Sequence, residues 1–498
     1  MRHRRHCAGG YLNGHTWRNR SSMLVGGFTL FRLFMMGRTG LGDSESYYWT
    51  WSRHMDLSYF DHPPMVAWLI RLSTAIGGDT AFWTRFPSAV LFVAICWMMY
   101  KTSMALFRDE ETAFWALLIF NLSPLFSFGA LQMVPDIPAV FFWMLFIYLA
   151  IRILDEDRPL LWYPAGAVIG AGLLSKYMLL PLIPSTLAML WWHKEYRKHL
   201  LQPHIYLGGF VGLLIFSPVL IWNYLHDFPS FRFHVVERNQ EEHFNLQHMG
   251  EFLGGQALYM SPLAWFGFLY VVWRIGNALF NDGDKRFVTV FWMSAPSMAF
   301  FYFIGLWSKD SEPHWAAFGY LMPIIAWGAF YVRNKLAWRK YTFSALGVSG
   351  LMIGLVYVHS FWPILPIKPK YDIINELYGW DAVGKAIDGE MLKLPEQPAK
   401  FVMAHHWVMC SQIEFSTQHR HKVFCENKKT DEFDFFPESV PPVGGNFVFV
   451  ADNRFDEPLD VFYLFDRAEK AGEVEIFRGG QAVRHFQLYR GYGYRGQK

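Results

Sequence analysis

The densest group of residues that could do acid–base chemistry lies in one short stretch, residues 42–71. Its titratable side chains include Asp43, Glu45, Asp61, His54 and His62, set among tyrosines and tryptophans. A carboxylate there could take a proton from a reacting hydroxyl group. The stretch is polar, yet it lies between hydrophobic segments too long for ordinary core helices. We therefore expect it at a bilayer surface, where a water-soluble group and a lipid headgroup can meet.

The first half of this stretch predicts a short helix. Ser44 is a plausible N-cap for a helix that runs through Glu45 to Met55. The helix carries an aromatic surface suited to the membrane interface, made by Tyr47, Tyr48, Trp49 and Trp51. An ordinary cap and an aromatic belt on a juxtamembrane helix are the structural alternative.

The second half predicts another helix, from Met65 to Ala75, because Pro63-Pro64 is pre-set for a first helical turn. Asp61 and His62 stand at its N-terminus. Free backbone N–H groups and the positive end of the helix dipole at that position suit a phosphate group.

Three further ionisable residues border or interrupt apolar runs, namely Arg85, Asp136 and Lys176. A helix N-cap would explain Asp136, and snorkelling to the interface would explain the two cations. The alternative is a carboxylate at the outer mouth of a cavity with cations that hold a lipid phosphate. Ionisable groups at membrane depth favour that functional interpretation.

The sequence predicts no certain cofactor. His54, His62 and His314 could suggest a metal site, but they lack tight ligand spacing, so a divalent metal is compatible with the sequence without being required. His405-His406 fits a surface or core position better than a site. No Walker, GxGxxG or GxSxG motif stands in a convincing context, which argues against a nucleotide-sugar enzyme with a Rossmann fold. A net charge of +3 does not indicate a nucleic-acid partner, and none is expected.

Composition indicates a polytopic membrane protein, with 53% hydrophobic, 19% aromatic and only 17% charged residues among 498. Apolar runs predict about eleven spans, at 22–37, 82–107, 112–130, 137–154, 161–175, 177–193, 205–224, 252–278, 287–306, 315–332 and 342–361. The basic N-terminus and the basic connections at 194–198, 284–286 and 333–340 are expected inside. The 38–81 loop, three further connections (132–136, 225–251 and 308–314) and the C-terminus are then outside.

The chain changes character near residue 366. Polar, turn-rich sequence with strand-like segments at Asn446 to Ala451 and Val461 to Phe465 predicts a soluble α/β domain over 366–498. It follows a cytoplasmic tail over 1–22 and a transmembrane domain over 23–365. Cys410 and Cys425 fall in the soluble domain, where a disulfide in an oxidising compartment and two free thiols are both open.

Several motifs in one order resemble a known family. They are Tyr47-Tyr48-Trp49, Tyr59-Phe60-Asp61-His62-Pro63-Pro64, Arg85-Phe86-Pro87-Ser88, Pro135-Asp136, Ser175-Lys176-Tyr177, Glu312-Pro313-His314-Trp315 and Tyr378-Gly379-Trp380. Together they resemble the bacterial glycosyltransferases that take sugars from polyprenyl phosphates, the family of the aminoarabinose and protein O-mannosyl transferases. The resemblance runs from about residue 40 to 380 and implies an all-α polytopic GT-C domain.

The resemblance also implies residue roles. Lys176, Arg85 and His62 would bind the donor phosphate, and the acceptor hydroxyl would lose its proton to a carboxylate. The family's catalytic Asp aligns with Ser44, so Asp43 takes the role with a shifted loop, or Glu45, Asp61 or Asp136 does. The residues expected to orient the sugar are Tyr59, Trp49, Glu312, His314 and Trp315.

The predicted function is sugar transfer from a polyprenyl-phosphate donor to lipid A, a polysaccharide or a protein. Direct displacement by the acceptor would invert the anomeric centre, and the reaction is expected on the outer face of the bacterial cytoplasmic membrane. A transporter or flippase of lipid-linked sugars is the non-enzymatic alternative, although the chain has no repeated halves. A polysaccharide polymerase or ligase with a different donor is a second enzymatic alternative.

Overall fold

The computed structural model describes residues 8–236, 245–280, 284–308, 311–427, 429–455 and 461–496. The basic residues Arg2, Arg4 and Arg5, together with Cys7, lie outside the described residues. The helices of the membrane-embedded part and its loops are α1 (Ala8–Met36), α2 (Asp43–Arg53), α3 (Met65–Gly77), α4 (Ala81–Phe107), α5 (Glu110–Asn121), α6 (Pro124–Gly129), α7 (Asp136–Glu156), α8 (Trp162–Leu173), α9 (Leu182–Trp192), α10 (Pro203–Leu225), α11 (Pro229–Val235), α12 (Leu246–Met260), α13 (Pro262–Phe280), α14 (Lys285–Trp292), α15 (Ala295–Trp307), α16 (Ala317–Arg333) and α17 (Lys335–Phe361).

Seven helical segments within the described residues are long and apolar enough to cross a membrane. They are α4, α7, α10, α13, α17, the pair α14–α15 and the segment Pro313–Arg333. The predicted span at 22–37 lies in α1, which is long but not among the seven apolar segments, and the other predicted spans correspond to shorter or interrupted helices. The run at 252–278 breaks at Ser261, which has a φ of +65° and precedes Pro262. The predicted helical membrane domain followed by a smaller α/β domain is confirmed.

The two ends of the helical bundle differ in their charged residues. At 1.5 Å per residue, α7 is about 30 Å long, and it begins at Asp136. Just beyond its far end, Asp157 pairs with Lys198 at 2.6 Å. Ion pairs also join the basic connections to one another: Lys285 pairs with Glu195, and Arg333 pairs with Asp284. A membrane-spanning helix therefore separates Asp136 from the Asp157–Lys198 end.

The loop over residues 38–81, called the first loop from here on, forms the two predicted helices, with one correction at the start of α2. The helix begins at Asp43, and Gly42 rather than Ser44 is its N-cap. The Glu45 carboxylate accepts a hydrogen bond from the Gly42 backbone N–H at 3.0 Å, which closes the first turn. Helix α3 begins at Met65 directly after the proline pair, as predicted, and continues to Gly77.

The C-terminal part is built on a five-stranded mixed sheet with the order β2-β1-β3-β5-β4. Its elements are α18 (Trp380–Lys393), β1 (Lys400–Ala404), α19 (Trp407–Ser416), β2 (Val423–Cys425), β3 (Asn446–Asp452), α20 (Val461–Leu464), β4 (Phe465–Arg478) and β5 (Gln481–Tyr494). Strands β1, β2 and β3 are parallel, whereas β5 runs antiparallel to β3 and β4. The predicted strand at 446–451 is confirmed. The strand predicted at 461–465 is wrong, because residues 461–464 form a helical turn that leads into β4 at Phe465.

The first loop and the C-terminal domain share one hydrophobic core. Tyr47 packs on Trp407 with ring centroids 4.5 Å apart, and Trp49 packs edge-on against Phe415 at 5.0 Å. Burying aromatic rings on both sides excludes water from this contact. The two regions therefore lie on the same side of the bundle.

Cys410 and Cys425 are joined by a disulfide, with their Cα atoms 5.9 Å apart. The bond links α19 to β2, beside the face of α19 that contacts the first loop. Of the two alternatives left open by the sequence, the structure has the bonded pair.

Candidate functional site

A cavity of about 530 Å³ opens where the first loop meets the ends of the membrane helices. Its apolar wall comes from α1, α6 and α17 and includes Met35, Phe126, Phe128, Val356 and Phe361. Its polar wall includes His62, Asp136, Lys176, Glu312 and His314. The cavity thus combines a hydrocarbon-compatible side with a charged side, as an amphiphilic ligand requires.

An ion pair forms the centre of the polar wall. Lys176 lies where the chain becomes extended after α8, and its Nζ is 2.9 and 2.8 Å from the two carboxylate oxygens of Asp136. The Lys176 side chain is only 5% exposed, against 22% for Asp136. His314 completes the group, with its Nε2 3.4 Å from the lysine Nζ and 3.8 Å from the Asp136 carboxylate. The three side chains can respond to one another's charge.

His62 and Tyr48 face the same cavity from the first loop. Their ring centroids are 6.1 Å apart. Burial, followed by the nearby carboxylates of Asp136 and Asp61, raises the pKa of Tyr48 well above its ordinary value. The Tyr48 hydroxyl therefore keeps its proton and remains a hydrogen-bond donor at neutral pH.

Glu312 and Trp315 also line the cavity, beside His314, on the short 3-10 helix Pro313–Ala316 and the residue before it. Further polar residues outside the family motifs also face the cavity, among them Ser44, Gln132 and Tyr259. Ser44 could have been found, since it occupies the position of the family's catalytic Asp. Gln132 and Tyr259 belong to no motif and carried no comparable signal.

Asp43, the first candidate for the base, does not line the cavity. Its carboxylate accepts hydrogen bonds from Arg454 at 2.9 Å and Gln412 at 3.2 Å, both in the C-terminal domain. The side chain is 13% exposed. The neighbouring Glu376 is affected by this carboxylate, because burial and then the charge of Asp43 raise the pKa of Glu376 to about 8. Asp43 thus joins the first loop to the C-terminal domain.

Glu45 and Arg85 form a buried ion pair, 2.6 Å apart, with side chains 1% and 4% exposed. Arg85 also donates hydrogen bonds to the backbone carbonyls of Met36, Thr39 and Gly40. Its guanidinium borders the cavity, yet all three of its nitrogens already have protein partners. The pair fastens the first loop to α4 and to the chain that follows α1.

The remaining predicted residues lie inside the packed loop. The Asp61 carboxylate accepts a hydrogen bond from the Tyr47 hydroxyl at 2.8 Å. Tyr59 is fully buried, stacks on Trp51 and donates to a backbone carbonyl of α2. Trp49 is also fully buried and donates its indole N–H to Asp79. None of Asp61, Tyr59 and Trp49 is among the described residues that line the cavity.

Comparison with known proteins identifies the kind of protein to which this cavity belongs. The family model described as dolichyl-phosphate-mannose-protein mannosyltransferase matches residues 61–222. Two crystal structures of ArnT from Cupriavidus metallidurans, one in the apo state and one bound to undecaprenyl phosphate, share the fold. Their TM-scores are 0.62 and 0.61 at 14% and 12% identity, and each match covers 94% of this chain and 97% of that chain.

Two curated proteins extend the similarity at the sequence level. Lipid A galacturonosyltransferase RgtD of Rhizobium johnstonii is 25% identical over 72% of this chain and 74% of its own length. The undecaprenyl phosphate-alpha-4-amino-4-deoxy-L-arabinose arabinosyl transferase of Pectobacterium carotovorum is 26% identical over 63% of this chain and 59% of its own length, which is less than two thirds of that protein. The resemblance predicted from the sequence is confirmed. The chain is a membrane glycosyltransferase with the GT-C fold, and it is similar to the two glycosyltransferases named above.

Proposed function

We propose that the protein transfers a sugar from undecaprenyl phosphate to lipid A on the outer face of the bacterial cytoplasmic membrane. The observation that carries this proposal is the Asp136–Lys176 pair, which stands with two histidines in a cavity that also has an apolar wall. The apolar wall suits a polyprenyl chain, and the cations suit its phosphate. The name of RgtD supports lipid A as the acceptor. The name of the arabinosyl transferase supports an undecaprenyl-phosphate-linked sugar as the donor.

Lys176 is proposed to bind the donor phosphate, with His62 and His314 beside it. A lysine that is 5% exposed loses little hydration when it meets an anion, so its contact with a phosphate is strong. As the bond between the anomeric carbon and the phosphate oxygen breaks, negative charge grows on the leaving phosphate. The same cations then stabilise the transition state more than the ground state.

Asp136 is proposed to be the general base. Four carboxylates were predicted as candidates for the base, namely Asp43, Glu45, Asp61 and Asp136. Among the residues that the structure describes, Asp136 is the one of these four that lines the cavity. When the donor phosphate draws Lys176 toward itself, the carboxylate loses its neutralising partner and becomes more basic. Asp136 then takes the proton of the acceptor hydroxyl while that oxygen bonds to the anomeric carbon from the face opposite the phosphate. The configuration inverts, and undecaprenyl phosphate leaves.

The proposed orientation places the cavity and the domain over 366–498 outside the cytoplasm, with the tail over 1–22 inside and the transmembrane domain over 23–365 between them. The disulfide between Cys410 and Cys425 supports an oxidising compartment for the C-terminal domain. The basic connections near Lys198, Lys285 and Arg333 support a cytoplasmic location for the other end. The first loop, which packs on the C-terminal domain, would also lie outside.

The test is reconstitution. The protein, purified in detergent, is incubated with lipid A and a panel of undecaprenyl-phosphate-linked sugars, and mass spectrometry then measures the lipid A. We expect a mass increase of one sugar residue with one donor, and none with the Asp136→Asn variant. An Asp466→Asn variant serves as the matched control, because Asp466 is 68% exposed on the C-terminal domain. A protein that moves the lipid-linked sugars across vesicles without modifying any acceptor would instead be a transporter.

A further inference from the structure

A second group of potential ligands lies outside the cavity, where the first loop meets the C-terminal domain. His54, Glu414 and His419 each present a ligand atom, and these atoms all lie within 4.8 Å of one another. Glu414 Oε1 is 2.6 Å from Nδ1 of His419 and 3.6 Å from Nε2 of His54. None of the three residues lines the cavity. The group is therefore separate from the candidate active site.

The carboxylate of this group is incompletely satisfied. The Glu414 side chain is 5% exposed, and its Oε2 has no hydrogen-bond partner among the residues that the structure describes. A buried carboxylate oxygen without a partner costs free energy, because water no longer solvates it. A cation seated between the carboxylate and the two imidazoles would remove that cost.

The chain is also shaped to bring these ligands together. His54 follows the last residue of α2 and is held by stacking on Phe436 at a centroid distance of 4.1 Å. Glu414 lies in α19, and the chain then turns back through Gln418 and His419, whose φ angles are +49° and +60°. Two successive non-glycine residues in the left-handed region are unfavourable and need a compensating interaction. This turn returns the His419 ring to the Glu414 carboxylate.

We infer that His54, Glu414 and His419 bind a divalent transition-metal ion of the Zn²⁺ type, which clamps the first loop to the C-terminal domain. Two imidazole nitrogens and one carboxylate oxygen are a ligand set that Zn²⁺ accepts, with water at the fourth position. The partial exposure of both histidines, 29% and 44%, leaves room for that water. The ligands come from two regions of the chain, so the ion would stabilise their docking. This inference does not depend on the proposed reaction.

The test uses the full chain, purified without a histidine tag, treated with a chelator and desalted. Titration calorimetry with ZnCl₂ measures the number of zinc ions bound, and intrinsic fluorescence measures the thermal midpoint with and without zinc. We expect the wild type to bind zinc and to melt at a higher temperature in its presence. Glu414→Gln should lose one zinc equivalent, or bind it at least roughly 10-fold more weakly, and lose the thermal shift.

Two further variants distinguish a lost ligand from a damaged fold. His54→Gln changes a partly exposed ligand outside the C-terminal domain and should lose the same zinc equivalent. His421→Ala is the matched control, because His421 pairs with Asp388 at 2.7 Å and takes no part in the group. It should bind as much zinc as the wild type. The inference is overturned if the wild type binds no zinc, or if Glu414→Gln and His54→Gln bind as much and as tightly as the wild type.

Discussion

The Lys176 ammonium lies 2.8 Å from the Asp136 carboxylate, although forty residues separate them in the chain. Helix α7 begins at Asp136, and the break after α8 places Lys176 at the same end of the bundle. Since both residues line the cavity, an anionic ligand would compete directly with Asp136 for the lysine. Under the proposed mechanism, donor binding at Lys176 would therefore raise the basicity of the Asp136 carboxylate.

Removing the cation should weaken the use of the donor. Lys176→Ala is expected to lower kcat/KM for the lipid-phosphate sugar by roughly 10- to 100-fold, because a charge-assisted contact with a desolvated lysine is lost. Steady-state kinetics with varied donor concentration measure the effect. Lys198→Ala is the matched control, since Lys198 is half exposed at the opposite end of α7. Equal donor kinetics in Lys176→Ala and the wild type would show that Lys176 has only a structural role.

The Glu45–Arg85 pair should act on stability rather than on phosphate binding. Arg85→Ala leaves Glu45 buried without a counter-charge, which typically costs about 3–5 kcal/mol. We expect a lower thermal midpoint and a lower yield of folded protein. The double variant Glu45→Gln, Arg85→Met removes both charges and should recover much of the stability, with a donor KM close to that of the wild type. A stable double variant with a greatly raised donor KM would instead assign Arg85 to the phosphate.

Asp431 lies where the C-terminal domain meets the first loop, next to Glu432, whose backbone N–H donates a hydrogen bond to the Tyr47 hydroxyl at 2.8 Å. The stability of this contact should depend on pH through Asp431. Burial raises the pKa of Asp431 from 3.8 to about 7. The folded protein therefore keeps a proton that the unfolded chain loses near pH 4, so the stability from this group is full below that pH and is lost as the pH rises toward 7.

Thermal midpoints measured between pH 4 and pH 8 check this dependence on Asp431. In Asp431→Asn the thermal midpoint should fall less steeply with rising pH. The variant should therefore become more stable relative to the wild type as the pH approaches 8. Asp466→Asn, at an exposed position, should leave the slope unchanged. Parallel curves for the wild type and Asp431→Asn would contradict the raised pKa.

The proposed orientation predicts which surfaces an impermeant reagent can reach. In a Cys7→Ser background, cysteines placed at Leu57 in the first loop and Leu392 in the C-terminal domain should be labelled from the periplasmic side, since both residues are exposed. A cysteine at Lys285, which is 69% exposed at the basic end, should be labelled only after the membrane is permeabilised. Labelling of the Lys285 position alone in intact cells would reverse the orientation.

Local sequence patterns predicted the helices of the first loop and several of the residues that line the cavity. The proline pair placed α3, the Ser44 cap placed α2 within two residues of its observed start, and motif positions identified Asp136, Lys176, His62 and His314, all of which line the cavity. The sequence could not tell which carboxylate faces the cavity. The position of Asp43 depends on Arg454, which lies 411 residues further along the chain and donates a hydrogen bond to the Asp43 carboxylate. The same limit explains the strand predicted at 461–465, where β-forming residues pack as the helical turn α20.

The proposed mechanism makes Asp136, and not Asp43, the general base. Asp136→Asn preserves the size of the side chain but removes its basicity, and general-base assistance is worth roughly 100- to 10,000-fold. Asp43→Asn removes a charge that pairs with Arg454 outside the cavity, so it should mainly weaken the contact with the C-terminal domain. Asp61→Asn is a further control, because its carboxylate is bound by Tyr47 within the loop.

The most direct measurement is therefore single-turnover sugar transfer to lipid A by these three variants, with donor saturating and folded protein quantified by size-exclusion chromatography. We predict that Asp136→Asn loses at least about 100-fold in rate, while Asp43→Asn and Asp61→Asn remain within about 10-fold of the wild type. If Asp43→Asn is inactive while folded and Asp136→Asn transfers sugar at a near-normal rate, the assignment of the base is wrong.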